Sequence, residues 1–131
     1  MKRIFIDTNA YAQLLNGSEE VLNILANAEE VYMSVIVLGE LFSGFRGGIK
    51  YNENVKLLYD FLNDPIVKVL DLREESSEVF GKIKHELKIK GTPIPINDIW
   101  IAAQCIEMGA VLISYDLHFK LIPQVRLWEK I

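Results

Sequence analysis

The chain has 131 residues, 50% of them hydrophobic and 24% charged, and a formal net charge of -4. That length suits one domain over residues 1–131, with about two-thirds of the unfolded surface buried on folding, and the composition excludes a disordered chain. An acidic chain lacks the cationic surface that gives phosphate affinity, so a role with nucleic acid requires a local basic face, a metal ion or a partner.

The one cysteine, Cys105, excludes an intramolecular disulfide and a multi-cysteine zinc site. At the N-terminus, "MKRIFIDTN" has too short an apolar run for a signal peptide, and no stretch approaches the roughly 18 apolar residues of a membrane span. A soluble cytoplasmic protein is the expectation.

"RIFI" (3–6) reads as a strand running into a turn or helix cap at "DTN". "NAYAQLL" and "SEEVLNILANA" read as helices, the second opened by Ser18. "EVYMS" (30–34) is a second strand. "VIVLGELFSGF" (35–45) follows as a helix, with Leu38, Leu41, Phe42 and Phe45 on one face and Gly44, Gly47 and Gly48 ending it. "YNENVKLLYDFLND" is an amphipathic helix stopped by Pro65, and "IVKVLDL" a third strand. "EESSEVFGKIKHELKIKG" is a long charged helix with Val79, Ile83 and Leu87 on one face, closed by Gly91. "NDIWIAAQCIEMG" is nearly all apolar, hence central, with Asn97 as its expected cap. "AVLIS" makes a fourth strand and "VRLWE" (125–129) a fifth. Strands alternating with helices predict an α/β fold, a parallel sheet covered on both faces.

Four stretches are nearly empty of charge, and each holds one acid. Asp7 is alone in residues 4–18, Glu40 in 31–45, Asp98 in 91–106 and, His118 aside, Asp116 in 108–119. Asp7 follows the first strand and Asp116 the fourth, where open α/β sheets place their ligand crevice. Glu40 and Asp98 reach the same crevice from early helical turns. Each acid also has an ordinary explanation: Asp7 as a helix cap, Asp98 as a first-turn acid favoured by the helix dipole, Glu40 as a solvated side chain, Asp116 as a turn residue. All four must hold separately, whereas a shared cation accounts for them together. Carboxylates crowded into one crevice repel, and a hard divalent cation such as Mg²⁺ or Mn²⁺ removes the conflict. Zinc is disfavoured because His85, His118 and Cys105 are the only nitrogen and sulfur ligands. His118, before Phe119, reads as a turn residue within reach of a phosphate.

"IFIDTNA", "SVIVLGELFSG", "PIPINDIWIAA" and "LISYDLHF", in that order, resemble the PIN-domain ribonucleases. The compact length most resembles the VapC-type toxins of toxin–antitoxin pairs. The resemblance implies a three-layer α/β/α fold around a mostly parallel sheet of four or five strands. It also implies endonucleolytic cleavage of RNA dependent on Mg²⁺ or Mn²⁺. Asp7, Glu40, Asp98 and Asp116 match the family's catalytic, metal-holding acids. Thr8, Asn9 and Ser114 match its supporting polar positions. A homodimer and a small cognate antitoxin are the implied partners; the early helices are the expected dimer face. One metal ion or two, and Mg²⁺ or Mn²⁺, stay open.

RNA requires a basic surface. "KIKHELKIKG" supplies Lys82, Lys84, Lys88 and Lys90, with Lys84 and Lys88 the expected RNA contacts, and Arg46 and Lys50 lie just past the Glu40 helix. The same lysines also suit a solvated helix face. Tyr11, Trp100 and Tyr115 are able to stack on bases but suit core packing better. Two competing readings remain: a PIN-like RNA-binding or scaffold protein without nuclease activity, and an aspartyl-phosphate phosphatase. The phosphatase expects a second aspartate two residues after the first, where Asn9 stands.

Overall fold

The computed structural model describes residues 3–128. Five strands form one sheet: β1 (Arg3–Ile6), β2 (Glu30–Ser34), β3 (Val67–Leu70), β4 (Val111–Ile113) and β5 (Arg126–Leu127), in the order β3-β2-β1-β4-β5. Every neighbouring pair is parallel. Glu129, at the end of the expected fifth strand, lies outside the described residues. The helices are α1 (Thr8–Leu15), α2 (Glu19–Ala26), α3 (Val35–Arg46), α4 (Tyr51–Leu62), α5 (Glu74–Lys90) and α6 (Ile96–Met108). They cover the sheet in the expected three-layer α/β/α arrangement.

Parallel strands must be buried on both faces, so they read as apolar runs and not as alternating ones. β1 obeys this strictly, with Ile4, Phe5 and Ile6 fully buried at the centre of the sheet. α6 is the central helix the sequence predicts, burying Ile99, Ile101, Ala102, Ala103, Gln104 and Cys105. α5 packs along it, and the rings of Phe80 and Trp100 stack at 3.9 Å between centroids. Tyr11 is likewise core, edge-on to Phe61. No helix among the described residues is long and apolar enough to cross a membrane.

The chain runs β1, β2, β3 outward to one edge, then returns to place β4 on the other side of β1. The strand order therefore reverses beside β1, and a crevice opens at the carboxyl ends of β1 and β4. Ile6 pairs with Ile113 in this register, which brings Asp7 and Ser114 out of the sheet side by side.

Two helix boundaries differ from the expectation. Gly44 lies inside α3, which runs on to Arg46 with Gly47 as its C-cap; a glycine within a helix weakens it without ending it. α6 starts at Ile96 and not after an Asn97 cap, because Pro95 at φ -56° already suits the helix entry and its carbonyl accepts from the N–H groups of Asp98 and Ile99. The Asn97 side chain is thereby released from capping.

Glycines provide a test of these helix ends. Gly109 closes α6 in the left-handed conformation, at φ 60°. Gly81 sits on the exposed side of α5, where an added Cβ meets nothing within 4 Å. Gly81→Ala should raise the unfolding free energy by about 0.5–1 kcal/mol, while Gly109→Ala should lower it by about 1 kcal/mol. Urea melts of the two variants check the opposite signs.

Candidate metal centre

Asp7 ends β1 and caps α1, its Oδ1 accepting from the Ala10 N–H at 2.8 Å. The ordinary reading of this residue is thus correct, and it does not exclude the other. The carboxylate is buried, 4% exposed, within electrostatic reach of Asp98 and Asp116. Burial pushes its pKa up to about 6, reinforced by the charges of Asp98 and Asp116 and opposed by hydrogen bonds from Ser114 and the Ala10 N–H.

Ser114, itself buried, ties two acids together. Its hydroxyl donates to Asp7 and its Oγ accepts from the Asp116 N–H at 3.0 Å. Asp116 then caps the 3₁₀ turn Leu117–Leu121, its Oδ1 accepting from the His118 N–H at 2.9 Å. Glu40, in the middle of α3, accepts from the Thr8 hydroxyl at 2.6 Å through Oε1 and from the Asn97 amide at 3.5 Å through Oε2. Asp98, in the first turn of α6, has its pKa raised by burial, with the His118 hydrogen bond opposing and the charges of Asp116 and Glu40 adding to the rise.

The four acids therefore lie within electrostatic reach of one another. Among the described residues, no lysine or arginine forms an ion pair with any of them. Glu40, Asp98 and Asp116 line a cleft of about 490 Å³ together with Pro95, Asn97 and His118. Through Glu40 and Asn97 it continues into a second cleft of about 650 Å³ along α3, past Gly39 and Ser43.

His118, read from the sequence as a turn residue within reach of a phosphate, lies against two of the acids, a contact the sequence did not reveal. Its Nδ1 lies 3.1 Å from Asp98 Oδ2 and 3.0 Å from Asp116 Oδ1. These three side chains bring donor atoms within 4.8 Å of one another, a spacing compatible with one metal ion. The available signal was the two-residue offset from Asp116, which a 3₁₀ turn folds back onto the carboxylate. Other expected residues stand apart. Asn9 is exposed and makes no hydrogen bond with the acids. Arg46 ends α3 with its guanidinium 4.5 Å from the centroid of the Tyr51 ring. Lys84 and Lys88 flank a separate cleft of about 260 Å³ with Pro93, Ile94 and Ile99. Tyr115 is exposed, and its hydroxyl donates to Glu20.

The donor set fits a divalent cation. Asp98 and Asp116 offer carboxylate oxygens beside the His118 imidazole, buried Asp7 adds its charge from close by, and no lysine or arginine among the described residues forms an ion pair with these acids.

The PIN domain family model matches residues 4–125. Ribonuclease VapC1 of Haemophilus influenzae is 32% identical over 130 residues, covering 95% of this chain and 94% of the relative. Ribonuclease VapC2 of Rickettsia felis is 30% identical over 132 residues, covering 95% and 97%. Among solved structures, VapBC2 from Rickettsia felis, bound to a DNA fragment from its promoter, superposes with a TM-score of 0.86 at 28% identity, over 96% of this chain and 97% of that one. The chain belongs to the PIN-domain family and, within it, to the VapC ribonucleases.

The buried acid predicts a pH effect in metal-free protein. Asp7 has a folded pKa near 6, above its ordinary 3.8, so between those values the folded state holds a proton that the unfolded state has lost. Its contribution to stability is therefore greatest below about pH 4 and falls as pH rises to about 6. Asp7→Asn, which retains an oxygen to cap α1, should be more stable than the wild type at pH 7 in chelator, with the gap closing by pH 4. Parallel melts over this range check the sign.

Proposed function

We propose that the chain acts as a single-domain, metal-dependent endoribonuclease, the toxin of a toxin–antitoxin pair, with Asp7, Glu40, Asp98 and Asp116 as its catalytic site. The observation that carries the reading is the convergence of these four acids, without a lysine or arginine partner, on the crevice where the strand order reverses. Mg²⁺ or Mn²⁺ is the cofactor. When bound, it supplies positive charge to the scissile phosphate and acidifies an attacking water.

The side chains have distinct tasks. Asp7 provides a fixed anionic floor, oriented by the Ala10 N–H and the Ser114 hydroxyl. Asp98 and Asp116, half-buried at the cleft wall, would hold the ion on the side of the cleft open to solvent. Glu40 faces them from α3. Thr8 and Asn97 each donate to one of its oxygens, so its rotamer is set before substrate arrives. From there it orients the water for in-line attack on phosphorus. No covalent enzyme intermediate is required.

RNA enters with its backbone along the cleft. Lys84 and Lys88 stand one helical turn apart on the exposed face of α5, and Arg46 lies at the end of α3. They add sequence-independent affinity. The partners are a second copy of this chain and an antitoxin protein. Leu22 on α2 and Leu57 and Tyr59 on α4 are exposed apolar side chains suited to such contacts.

The central test is Asp98→Asn, which keeps the shape and removes one charge. RNA cleavage should be abolished. Metal-free stability should stay unchanged or rise by on the order of 1 kcal/mol, because repulsion is relieved. Mg²⁺ should raise the wild-type melting temperature more than that of the variant. Cleavage at the wild-type rate would remove Asp98 from the mechanism.

For RNA affinity, Lys84→Ala combined with Lys88→Ala should weaken binding of single-stranded RNA at every sequence tested. If both lysines meet phosphate, the slope of log K against log salt flattens by about 1.4. An unchanged slope assigns them to a solvated face. Light scattering at tens of micromolar should give a dimer mass; a monomer there contradicts the homodimer.

A further inference from the structure

The His118 imidazole projects into the cleft from the 3₁₀ turn after β4, its side chain 46% exposed, and has two carboxylates at hydrogen-bonding distance. We infer that His118 is a nitrogen ligand of the metal centre, completing a set with Asp98 and Asp116, and that it makes the centre prefer Mn²⁺ to Mg²⁺. This rests on the metal-dependent reading above and specifies which ion that site selects.

Three observations carry it. First, Nδ1 is 3.1 Å from Asp98 Oδ2 and 3.0 Å from Asp116 Oδ1. Neighbouring ligands around an octahedral ion with bonds of roughly 2.1 Å are about 3 Å apart. The nitrogen thus already stands at the separation of an adjacent ligand from each oxygen, and the three donor atoms lie within 4.8 Å of one another. Second, the partners of Nδ1 among the described residues are both carboxylates, Asp98 and Asp116. Third, the turn that presents the ring is fixed at both ends. Asp116 Oδ1 caps it through the His118 N–H, and the next residue, Phe119, is anchored in the core. The imidazole is pre-positioned.

Selectivity follows from ligand chemistry. Mg²⁺ holds to oxygen ligands and gives up water reluctantly, so an imidazole nitrogen adds little to its binding. Mn²⁺ also favours oxygen ligands, but as the softer, first-row transition ion it accepts an imidazole nitrogen beside them more readily than Mg²⁺ does. A centre with two carboxylates and one imidazole therefore gains more for Mn²⁺ than for Mg²⁺. Ligation through the Nδ1 lone pair would leave the ring proton on Nε2.

Mn²⁺ also provides the probe. Electron spin-echo spectroscopy of Mn²⁺ bound to the full chain should show modulation from a directly coordinated ¹⁴N nucleus, absent in His118→Ala. Calorimetric titration should give a Mg²⁺-to-Mn²⁺ ratio of dissociation constants that falls about tenfold in the variant. His118→Asn separates ligation from hydrogen bonding: its amide still donates to the carboxylates but offers no imidazole, so it should resemble the alanine variant in both measurements. Mn²⁺ bound with no ¹⁴N modulation in the wild type overturns the inference and leaves the metal-dependent nuclease standing. An unchanged selectivity ratio in both variants overturns it equally. No Mn²⁺ binding in the millimolar range overturns the inference together with the metal site.

Discussion

Mutual repulsion among carboxylates that share a crevice without a lysine or arginine is the constraint around which the molecule is arranged. Taking Asp7 out of water while Asp98 and Asp116 stay within electrostatic reach opposes its ionisation, and its raised pKa records that cost. The protein meets the cost with donors that carry no formal charge: the Ala10 N–H and the Ser114 hydroxyl on Asp7, the Thr8 hydroxyl and the Asn97 amide on Glu40. Such donors orient the oxygens without neutralising them. A lysine in their place would make the fold more comfortable and the cleft useless for a cation.

The scaffold then has to hold strained charges at fixed positions, and the sheet order shows how. β1, buried from Ile4 to Ile6, carries Asp7 at its end; β4, its neighbour, leads to Ser114 and Asp116. α3 and α6 start near the same crevice and bring Glu40 and Asp98 across it. Packing of α6 on α5, with Phe80 against Trp100, fixes the angle from which Asp98 approaches. The apolar interior is thus what keeps like charges close.

Much of this was legible in the sequence because burial leaves a compositional trace. An all-parallel sheet needs apolar strands, so "RIFI" and "AVLIS" stood out, and an acid beside such a run was conspicuous. What could not be read depended on side-chain direction. Asn9 follows Asp7 and Thr8 in sequence, yet it points to solvent while Thr8 turns to Glu40. Asn97 looked like a cap, but Pro95 starts the helix and Asn97 reaches across the cleft instead. His118 lies in a 3₁₀ turn, and no periodicity in five residues betrays that its ring folds back onto Asp116 and Asp98. The lysines of α5 gave a clear charge signal, but their cleft with Ile94 and Ile99 is distinct from the one that holds the acids.

The two ordinary caps in the site deserve a physical account, because cap and ligand are often treated as alternatives. A carboxylate has two oxygens and about four lone-pair positions. Asp7 and Asp116 each accept a backbone N–H at Oδ1, and that bond removes the rotational freedom of the whole group. Lone pairs that the cap does not use are then aimed by the backbone itself, with no further ordering needed when a cation arrives. Capping is in this sense the means of pre-organisation: the strand ends, the helix begins, and the residue between them is held by the change of secondary structure. Depth divides the labour further. Buried Asp7 is shielded from competing water, and half-buried Asp98 and Asp116 remain open to solvent. A site graded in this way combines a shielded floor with an accessible rim.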